Sequence, residues 1–383
     1  MIYSVSLERA HKSHLVFSAL ETYSLVGGMQ NFNRRVIRSL VSRTKIRKEA
    51  LPQIQVLRDG SSVPKALSPF VQSYPSRFVY TLASAFAARR ASVFIIGHIN
   101  LLPLAALVRF LHWKTPILLF VHGDEVWNEP GRRKKRWFES LLLCAVDRIA
   151  SVSRYTADIM SREFHVDAAK FRILPNAVDL IERSTSIPRT DSHIVLTVSR
   201  LGSGDRPKNI DQMLKAIAIL KQRLPNVRYE IVGDGSLRSE LEGLARELDI
   251  SNNVAFLGRV SEADLSQAYG RASVFAMPSS KEGFGIVYLE AWLRSLPVIC
   301  SSFGASKEVV SDGSDGFVVD HRRPEDIASR LYALLVDTEL ARRLGENGRK
   351  KVELQYLNNS FQDNLDAIID DLLAPPGKHP SSK

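Results

Sequence analysis

The chain has 383 residues, of which 45% are hydrophobic and 24% are charged. These values fit two or three compact domains and exclude a largely disordered protein, whose composition is poor in apolar residues. The excess of basic residues is confined to one half. Residues 1–185 hold 27 Lys and Arg against 14 Asp and Glu, a balance of +13, whereas the remainder holds 25 against 27, a balance of −2. Such a half fits nucleic acid, an anionic membrane or a polyanionic substrate, or it is only a solvated surface.

The cysteines and the apolar runs indicate where the chain resides. Cys144 and Cys300 lie far apart and form no metal-like or redox-like spacing, which favours a reducing compartment. No charged segment followed by an apolar core opens the chain, so we expect no secretory signal. The longest apolar stretch, residues 99–113, is interrupted by Arg109 and is short for a membrane span. We therefore predict a cytoplasmic protein without a transmembrane helix.

Short apolar segments alternate with longer amphipathic segments along the first half. This alternation predicts parallel strands connected by helices. The predicted strands are 14–19, 53–57, 93–98, 116–122, 148–153 and 171–176. They predict one doubly wound, Rossmann-like α/β domain over residues 1–180.

The same pattern restarts after a polar stretch. Residues 181–193 lack sustained apolar periodicity and are predicted to be a linker. A second doubly wound domain is predicted over residues 194–360, followed by a C-terminal helix and a disordered tail over 361–383. Its predicted strands are 194–200, 227–233, 254–258, 273–278, 297–302 and 316–320. Two such domains face each other across a cleft, and ligands of parallel sheets lie beyond the carboxyl ends of the strands.

Two candidate ligand contacts follow predicted strands of the first domain. Gly27 and Gly28 lie between a strand and a helix, where a backbone without side chains can approach a phosphate closely; plain turns also use paired glycines. His122 ends the strand 116–122 and precedes Gly123. It could point into the cleft as a hydrogen-bond partner or proton carrier, or lie in the core. No second His or Cys stands at a metal-ligand spacing from it.

Two cations follow the first strand of the second domain. Arg200 and Lys208 flank the Gly-bearing loop of "VSRLGSGDRPKN". A planar guanidinium and a compact ammonium together suit a pyrophosphate, although a solvated charged loop is the alternative. The spacing does not match the G-x-x-x-x-G-K-[ST] pattern of P-loop nucleotide hydrolases, which favours a different kind of phosphate site.

Two carboxylates flank a glycine turn in "SKEGFGIVYLEAW", residues 280–292. Glu282 falls in the turn and Glu290 falls just over one turn into a helix that begins near Ile286. Both could face the cleft and accept hydrogen bonds from hydroxyl groups, because a buried carboxylate needs a partner. The turn also offers backbone N–H groups for phosphate oxygens, at Phe284, Gly285, Ile286 and Val287. Hydroxyl acceptors beside phosphate-binding groups describe a sugar nucleotide.

This combination of motifs resembles the retaining glycosyltransferases of family 4 (glycosyl transferases group 1), which have the GT-B fold. The matching features cover nearly the whole chain in the expected order. They are Gly27-Gly28, His122, "ILPNAVD" (173–179), "TVSRL" (197–201) followed by Lys208, "IVGDGSLRSEL" (231–241), "FLGRVS" (256–261) and the pair Glu282 and Glu290.

The resemblance implies a role for each matching residue. Glu290 looks like the carboxylate that binds the ribose hydroxyls, and Glu282 like the one that holds the hydroxyls of the donor sugar. Arg200 and Lys208 resemble the pair that neutralises the leaving diphosphate. The remaining matches are His122 at the donor sugar, the Gly28 loop amide at the phosphate and Val260 at the base.

The sequence also departs from the family pattern. Gln30 stands where the family often has the Glu of Gly-Gly-x-Glu, and Ala177 stands where glycine is frequent. Asn209 follows Lys208 where the family often has the Gly of Lys-Gly. None of these changes falls on the core set of residues. They leave the acceptor contacts open.

The resemblance implies a transferase that moves a hexose from a UDP- or GDP-sugar to a hydroxyl group with retention of anomeric configuration. We expect a mannose-like donor sugar and a glycan or lipid-linked acceptor, in the synthesis of cell-surface polysaccharide or lipopolysaccharide. Fixed cations at the departing diphosphate would carry the catalysis, with no metal and no cofactor. The alternatives are a sugar-nucleotide epimerase or a sugar-binding protein of the same fold.

The basic first half then acquires an interpretation. A run of basic residues precedes an apolar segment within residues 129–144, a pattern that suits anionic headgroups or is only a solvated charged surface. The run comprises Arg132, Arg133, Lys134, Lys135 and Arg136, and Trp137 follows it. We predict peripheral attachment to the inner face of the cell membrane. We do not expect nucleic acid as a partner, because the chain has no nucleic-acid-binding motif and no basic–aromatic interleaving.

Overall fold

Thirteen strands form two sheets in the computed structural model, which describes residues 13–25, 27–128, 133–181 and 193–374. Every strand pair in both sheets is parallel. The first sheet has the order β3-β2-β1-β4-β5-β6-β7, and the second has the order β10-β9-β8-β11-β12-β13. We call the two halves built on these sheets the first and second lobes.

The strands are short and mostly buried. In β1 and β5 every residue is buried, as expected where helices cover both faces of a parallel sheet. The strands of the first lobe are β1 (Leu15–Ala19), β2 (Gln53–Leu57), β3 (Val71–Tyr74), β4 (Val93–Ile96), β5 (Ile117–Val121), β6 (Arg148–Ser151) and β7 (Phe171–Ile173). Those of the second lobe are β8 (Ile194–Val198), β9 (Arg228–Val232), β10 (Val254–Gly258), β11 (Val274–Ala276), β12 (Val298–Ser301) and β13 (Gly316–Val319).

Thirteen α-helices surround the sheets in the described part of the chain. Those up to residue 181 are α1 (Gly28–Arg47), α2 (Arg77–Ala88), α3 (Leu102–Leu111), α4 (Glu139–Leu142) and α5 (Arg154–Phe164). Those from residue 193 onward are α6 (Ile210–Lys221), α7 (Arg238–Glu247), α8 (Glu262–Arg271), α9 (Ile286–Trp292), α10 (Ser306–Val309), α11 (Pro324–Val336), α12 (Thr338–Gln355) and α13 (Asn358–Leu373). No helix among the described residues is long and apolar enough to span a bilayer.

The predicted fold class is confirmed, since the chain forms two parallel-sheet α/β lobes. Each of the twelve predicted strands is present, usually with one to three residues fewer at its ends. The prediction missed β3, an edge strand beside β2 in which only Val71 is fully buried. The predicted linker lies outside the described residues except at its two ends, and so does the part of the predicted tail beyond residue 374.

The last described helix packs against the first lobe although it follows the second in the chain. Helix α13 lies along α1, where Phe361 contacts Phe32 with the ring centroids 5.4 Å apart. Arg43 of α1, 1% exposed, forms ion pairs with Asp366 and Asp370 of α13 at 3.2 and 2.7 Å. Helix α13 therefore joins the two lobes at the back, because it follows the second lobe in the chain and packs against the first.

Candidate active site

A cavity of about 600 Å³ opens between the two lobes at the carboxyl ends of their strands. Loops from both sheets line it, after β1, β5, β8 and β11. This is the position at which open parallel sheets bind their ligands, and the volume is that of a typical small-molecule site. The cavity is therefore the candidate active site.

Most of the predicted site residues meet at this cavity. Ten of the twelve line it: Gly27, Gly28, His122, Arg200, Lys208, Glu282, Phe284, Gly285, Ile286 and Val287. Val260 and Glu290 are not among the residues that line it. The sequence pattern thus brings together groups from four loops that are up to 260 residues apart in the chain, between Gly27 and Val287.

The glycine loop of the first lobe is held by a buried carboxylate. Asp59, which follows β2, accepts hydrogen bonds from the backbone N–H groups of Thr22, Tyr23 and Ser24, each at 2.9 Å. Arg34 of α1 donates to the carbonyl groups of Thr22 and Leu25 from the other side. These contacts hold residues 22–25 in place ahead of Gly27 and Gly28, which line the cavity at the amino end of α1.

His122 lies between the cavity and the core of the first lobe. Its Nε2 lies 3.3 Å from the carbonyl oxygen of Gly97, and its ring stands edge-on to Phe32 with the centroids 4.7 Å apart. Burial lowers the pKa of His122 below its usual value, and the nearby Glu125 carboxylate only partly offsets that shift. The ring is therefore neutral at pH 7 and suited to hydrogen bonding rather than to carrying a positive charge.

Arg200 follows β8 and extends into the cavity from the second lobe. Its side chain is 78% exposed, and its guanidinium donates to Asp205 at 3.0 Å. Asp205 itself is 9% exposed and also accepts a hydrogen bond from the backbone of Gly202. The Asp205 carboxylate therefore positions the cation while most of the guanidinium stays accessible.

Lys208 and Glu282 form an ion pair inside the cavity. Their Nζ and Oε2 atoms are 2.5 Å apart, and the two side chains are 18% and 15% exposed. Backbone contacts hold their loops together, since the Ser280 N–H donates to the Pro207 carbonyl at 2.8 Å. The attraction between the two charges is stronger in these low-dielectric surroundings than in water. Because both charges also lose solvation there, the pair needs further polar partners.

The turn after Glu282 depends on two glycines. Gly285, the residue before α9, has φ = 91°, in the left-handed region that favours glycine. A Cβ on Gly283 would lie 2.4 Å from the carbonyl oxygen of His122, across the cavity floor in the first lobe. The two lobes therefore meet here backbone to backbone, and the helix begins at Ile286 as the sequence predicts.

Glu290 and Val260 are held by contacts with α8 and the core rather than lining the cavity. The Glu290 carboxylate accepts a hydrogen bond from the Tyr269 hydroxyl at 2.9 Å. Burial raises the pKa of Glu290 above its usual value, against the opposing effects of Tyr269 and Arg294. Val260 packs against the hydrophobic core that contains Tyr269. Their predicted contacts with the ribose and the base stay predictions.

Several residues that line the cavity escaped the sequence prediction. Asp124, Glu125 and Trp127 follow His122 in the same loop, and Asn176 lies within the "ILPNAVD" motif. Their position directly after predicted strand ends was the available signal. Among the residues that the structure describes, no three His, Cys, Asp or Glu side chains are grouped so that they could hold a metal ion.

The basic run near residue 135 is partly engaged within the first lobe. Arg133 binds Glu139, and Lys135 donates to the carbonyl of Glu163 at 2.6 Å. Trp137 is 87% exposed, while Arg132 lies outside the described residues. The apolar segment after the run forms the single helical turn α4 and then continues into a short 3-10 segment. Two cations of the run are therefore engaged within the lobe, whereas Trp137 and Leu141 stay exposed. Attachment to a membrane stays a prediction.

Comparison with known proteins decides the family. Residues 26–182 match the family model "Glycosyltransferase Family 4", and residues 181–351 match "Glycosyl transferases group 1". A GDP-mannose-dependent monoacylated alpha-(1-6)-phosphatidylinositol monomannoside mannosyltransferase of Corynebacterium glutamicum is 31% identical over 274 residues, 66% of this chain and 69% of that protein. The chain belongs to the group 1, family 4 glycosyltransferases. The resemblance inferred from the motifs is thereby confirmed at the level of the family.

Two further proteins place this glycosyltransferase among its relatives. A GDP-mannose-dependent alpha-(1-6)-phosphatidylinositol monomannoside mannosyltransferase of Mycolicibacterium smegmatis is 31% identical over 221 residues, 53% of this chain. The match spans 56% of that protein's length. The crystal structure of HepE from Anabaena in complex with UDP superposes with a TM-score of 0.74 at 17% identity, over 93% of this chain and 100% of the other. The likeness to HepE establishes the shared two-lobed GT-B fold.

Proposed function

We propose that this glycosyltransferase moves a hexose from a nucleotide-diphospho-sugar to a hydroxyl group of a glycan or a lipid-linked acceptor, with retention of anomeric configuration. The proposed donor is a GDP- or UDP-sugar, with mannose as the first candidate sugar. The proposed setting is the synthesis of a cell-surface polysaccharide, lipopolysaccharide or glycolipid on the inner face of the membrane. GDP-mannose appears in the names of the two mannosyltransferases, and UDP in the HepE complex.

The observation that carries the proposal is the cationic side of the cavity in the second lobe. Arg200 and Lys208 both line it, each next to a carboxylate that positions it. Negative charge grows on the diphosphate as its bond to the sugar breaks, and cations fixed beforehand stabilise that charge without reorganising. A bound diphosphate would give Lys208 a second anionic partner and leave Glu282 able to accept from sugar hydroxyls.

The first lobe would supply neutral contacts to the sugar. His122 carries no charge at pH 7, so it can exchange hydrogen bonds with a hydroxyl group without opposing the positive charge that develops on the sugar ring. Glu282 stabilises that charge by electrostatics in this proposal and forms no covalent bond to it. The acceptor hydroxyl would approach from the side of the departing diphosphate, and none of these steps requires a metal ion.

A donor panel tests the proposal. We expect one class of UDP- or GDP-sugar to raise the unfolding temperature of the chain, because a ligand that binds only the folded state stabilises it by mass action. Lys208→Gln should lower turnover of that donor by about 10²- to 10³-fold, the typical cost of removing one preorganised donor to a developing anion. Lys215→Gln is the matched control, because Lys215 is an exposed lysine of α6 outside the cavity.

Three results would count against the proposal. If no nucleotide sugar stabilises the chain, the proposed donor class is wrong. If the Lys208→Gln and Lys215→Gln variants are equally active, Lys208 is not a catalytic cation. Conversion of the donor in the absence of any acceptor, with the sugar still attached to the nucleotide, would indicate an epimerase instead. Product anomers assigned by nuclear magnetic resonance test retention separately.

A further inference from the structure

The first lobe contains a second, smaller cavity that the active site does not use. Its volume is about 250 Å³, and it lies between α2 and the start of α3, beside the carboxyl ends of β1 and β2. The volume is below the ~300–1,000 Å³ of pockets that hold a whole drug-sized ligand. Its wall is mainly apolar and includes Leu20, Leu57, Tyr80, Leu101, Pro103 and Leu104.

Two arginines line this mainly apolar cavity, Arg77 and Arg136. Neither Arg77 nor Arg136 forms a side-chain hydrogen bond or ion pair with any residue that the structure describes, although both line the same cavity. The neighbouring arginines differ, since Arg109 is paired with Asp147 and Arg133 with Glu139. Two guanidinium groups that line one cavity and have no described carboxylate partner can together bind a phosphate or another oxyanion.

The sequence around the cavity favours an anion further. Residues 60–123, which include α2 and α3, contain six Lys and Arg and no Asp or Glu. No carboxylate of that segment opposes an approaching negative charge. The local excess of positive charge in this segment favours the approach of anions.

The outer side of α2 is apolar and exposed. Phe78, Leu82 and Phe86 follow one another at intervals of four residues and are 71%, 52% and 74% exposed. Side chains at this spacing lie on one face of a helix. An apolar stripe that begins beside Arg77 is the kind of surface that rests against the hydrocarbon part of a lipid.

A hydrogen-bonded connection leads from the small cavity to the active site. Asn100 lines the small cavity, and its Oδ1 accepts from Arg133 at 3.3 Å. The same Arg133 side chain donates to the carbonyl of Glu125 at 2.9 Å, and Glu125 lines the active-site cavity. A ligand seated at Arg77 and Arg136 would therefore lie beside the loop that approaches the donor sugar.

We propose that the small cavity binds the phosphate-bearing end of a membrane-resident anionic amphiphile, which is the acceptor or its carrier. The phosphate contacts Arg77 and Arg136, the first carbons of the chain occupy the apolar wall, and the rest of the chain follows the exposed face of α2. The identification of the amphiphile as the acceptor, or its carrier, rests on the proposed function. Binding of the amphiphile itself does not depend on a donor.

Calorimetric titration with dodecyl phosphate below its critical micelle concentration tests this site. We expect Arg77→Gln and Arg136→Gln each to weaken binding by about tenfold or more, because a charge-assisted hydrogen bond to phosphate is lost. Arg89→Gln is the matched control, since Arg89 is an exposed cation at the other end of α2 and does not line the cavity. Thr81→Phe, which fills the cavity and keeps both cations, should also weaken binding.

Two further probes separate the headgroup from the chain. Inorganic phosphate and dodecyl maltoside should each bind at least about tenfold more weakly than dodecyl phosphate, because each lacks one of the two recognised parts. If inorganic phosphate binds as tightly as dodecyl phosphate, the site does not recognise the alkyl chain. If dodecyl maltoside binds as tightly as dodecyl phosphate, the site does not recognise the anionic group. Equal losses in the Arg77→Gln and Arg89→Gln variants would overturn the site.

A separate measurement identifies which proposal has failed. Stabilisation by the nucleotide sugar should be unchanged in the Arg77→Gln and Arg136→Gln variants, because neither residue lines the active-site cavity. Loss of amphiphile binding with an intact donor response therefore supports the small cavity alone. If no nucleotide sugar stabilises the chain but dodecyl phosphate still binds, the proposed glycosyl transfer is wrong and the amphiphile site is still supported.

Discussion

The two lobes meet at the front and at the back through opposite kinds of contact. At the front, on the floor of the active-site cavity, Gly283 lies against the backbone of His122 and Gly123. At the back, α13 lies on α1 through the buried Arg43 and the carboxylates of Asp366 and Asp370. The front contact exists because side chains are missing, whereas the back contact depends on long charged side chains.

This difference determines what each contact responds to. A close backbone approach is sensitive to added volume and insensitive to charge. A cluster of ion pairs is sensitive to charge, pH and salt, and it tolerates small changes in volume. The back contact should therefore control the stability of the chain, and the front contact should control the width of the cavity.

The largest effect on stability is expected from Arg43→Met. The variant removes a 1% exposed cation, so Glu49, 12% exposed, loses its ion pair, and Asp366, 14% exposed, is left with the longer contact to Arg47 at 3.6 Å. Breaking such a buried cluster costs about 3–5 kcal/mol of the free energy of unfolding, measured by urea denaturation. Arg38→Met, at a 58% exposed position of the same helix, should cost less than about 1 kcal/mol. A loss in Arg43→Met no larger than that in Arg38→Met would contradict the importance of the back contact.

The next effect is expected from Gly283→Ala at the front contact. The added methyl group would stand 2.4 Å from the carbonyl oxygen of His122, so the backbones must separate. Overpacking of this kind costs about 1–3 kcal/mol, and we expect it in the affinity for nucleotide sugar rather than in the urea midpoint. The matched control is Gly243→Ala in α7, which does not line the cavity and where a Cβ would meet the Arg246 side chain only at 3.8 Å. Equal donor affinities of the two variants would show that the front contact does not set the cavity width.

The smallest effect is expected from acid at the back contact. Burial raises the pKa of Asp371, but contacts with Arg148 and Arg172 outweigh it and hold the pKa below its usual 3.8. The unfolded chain therefore takes up the proton first as the pH falls. The stabilisation is complete well above pH 3.8 and is lost as the pH falls through the lower, folded-state pKa.

The variant Asp371→Asn tests this dependence. It should lose about 1 kcal/mol of unfolding free energy at pH 7 and show a shallower decline in acid than the parent chain. Asp363→Asn, an exposed position of α13, should keep the parent's acid profile. An unchanged profile in the Asp371→Asn variant would mean that this part of the back contact has no linked proton.

Most residues that line the active-site cavity were accessible to sequence reasoning, whereas the back contact was not. Glycines, carboxylates and cations that directly follow apolar segments mark strand ends, so the residues of the cavity could be selected from local pattern alone. The pairing of α13 with α1 has no local signature, because its ion pairs join residues more than 300 positions apart, such as Arg43 and Asp366. The edge strand β3 was missed for a related reason, since its polar residues carry little apolar signal.

Glu290 shows the limit of pattern even within the site. Its spacing from Glu282 was read correctly, and the helix α9 begins where the sequence predicts. The hydrogen-bond partner of its carboxylate was not visible in the pattern, because Tyr269 comes from α8, a helix earlier in the chain. The predicted contact of Glu290 with the ribose stays a prediction. Spacing along one helix fixes the face on which a residue lies, but a neighbouring helix decides what that residue touches.

The return of α13 to the first lobe has a consequence for synthesis on the ribosome. All seven strands of the first sheet emerge long before Asn358–Leu373, which cover one side of α1. Until that segment leaves the exit tunnel, the nascent first half carries an uncovered apolar surface around Phe32 and an unmatched guanidinium at Arg43. A fragment cut between the lobes should therefore need chaperones or residues 358–373 supplied in trans before it becomes a monomer.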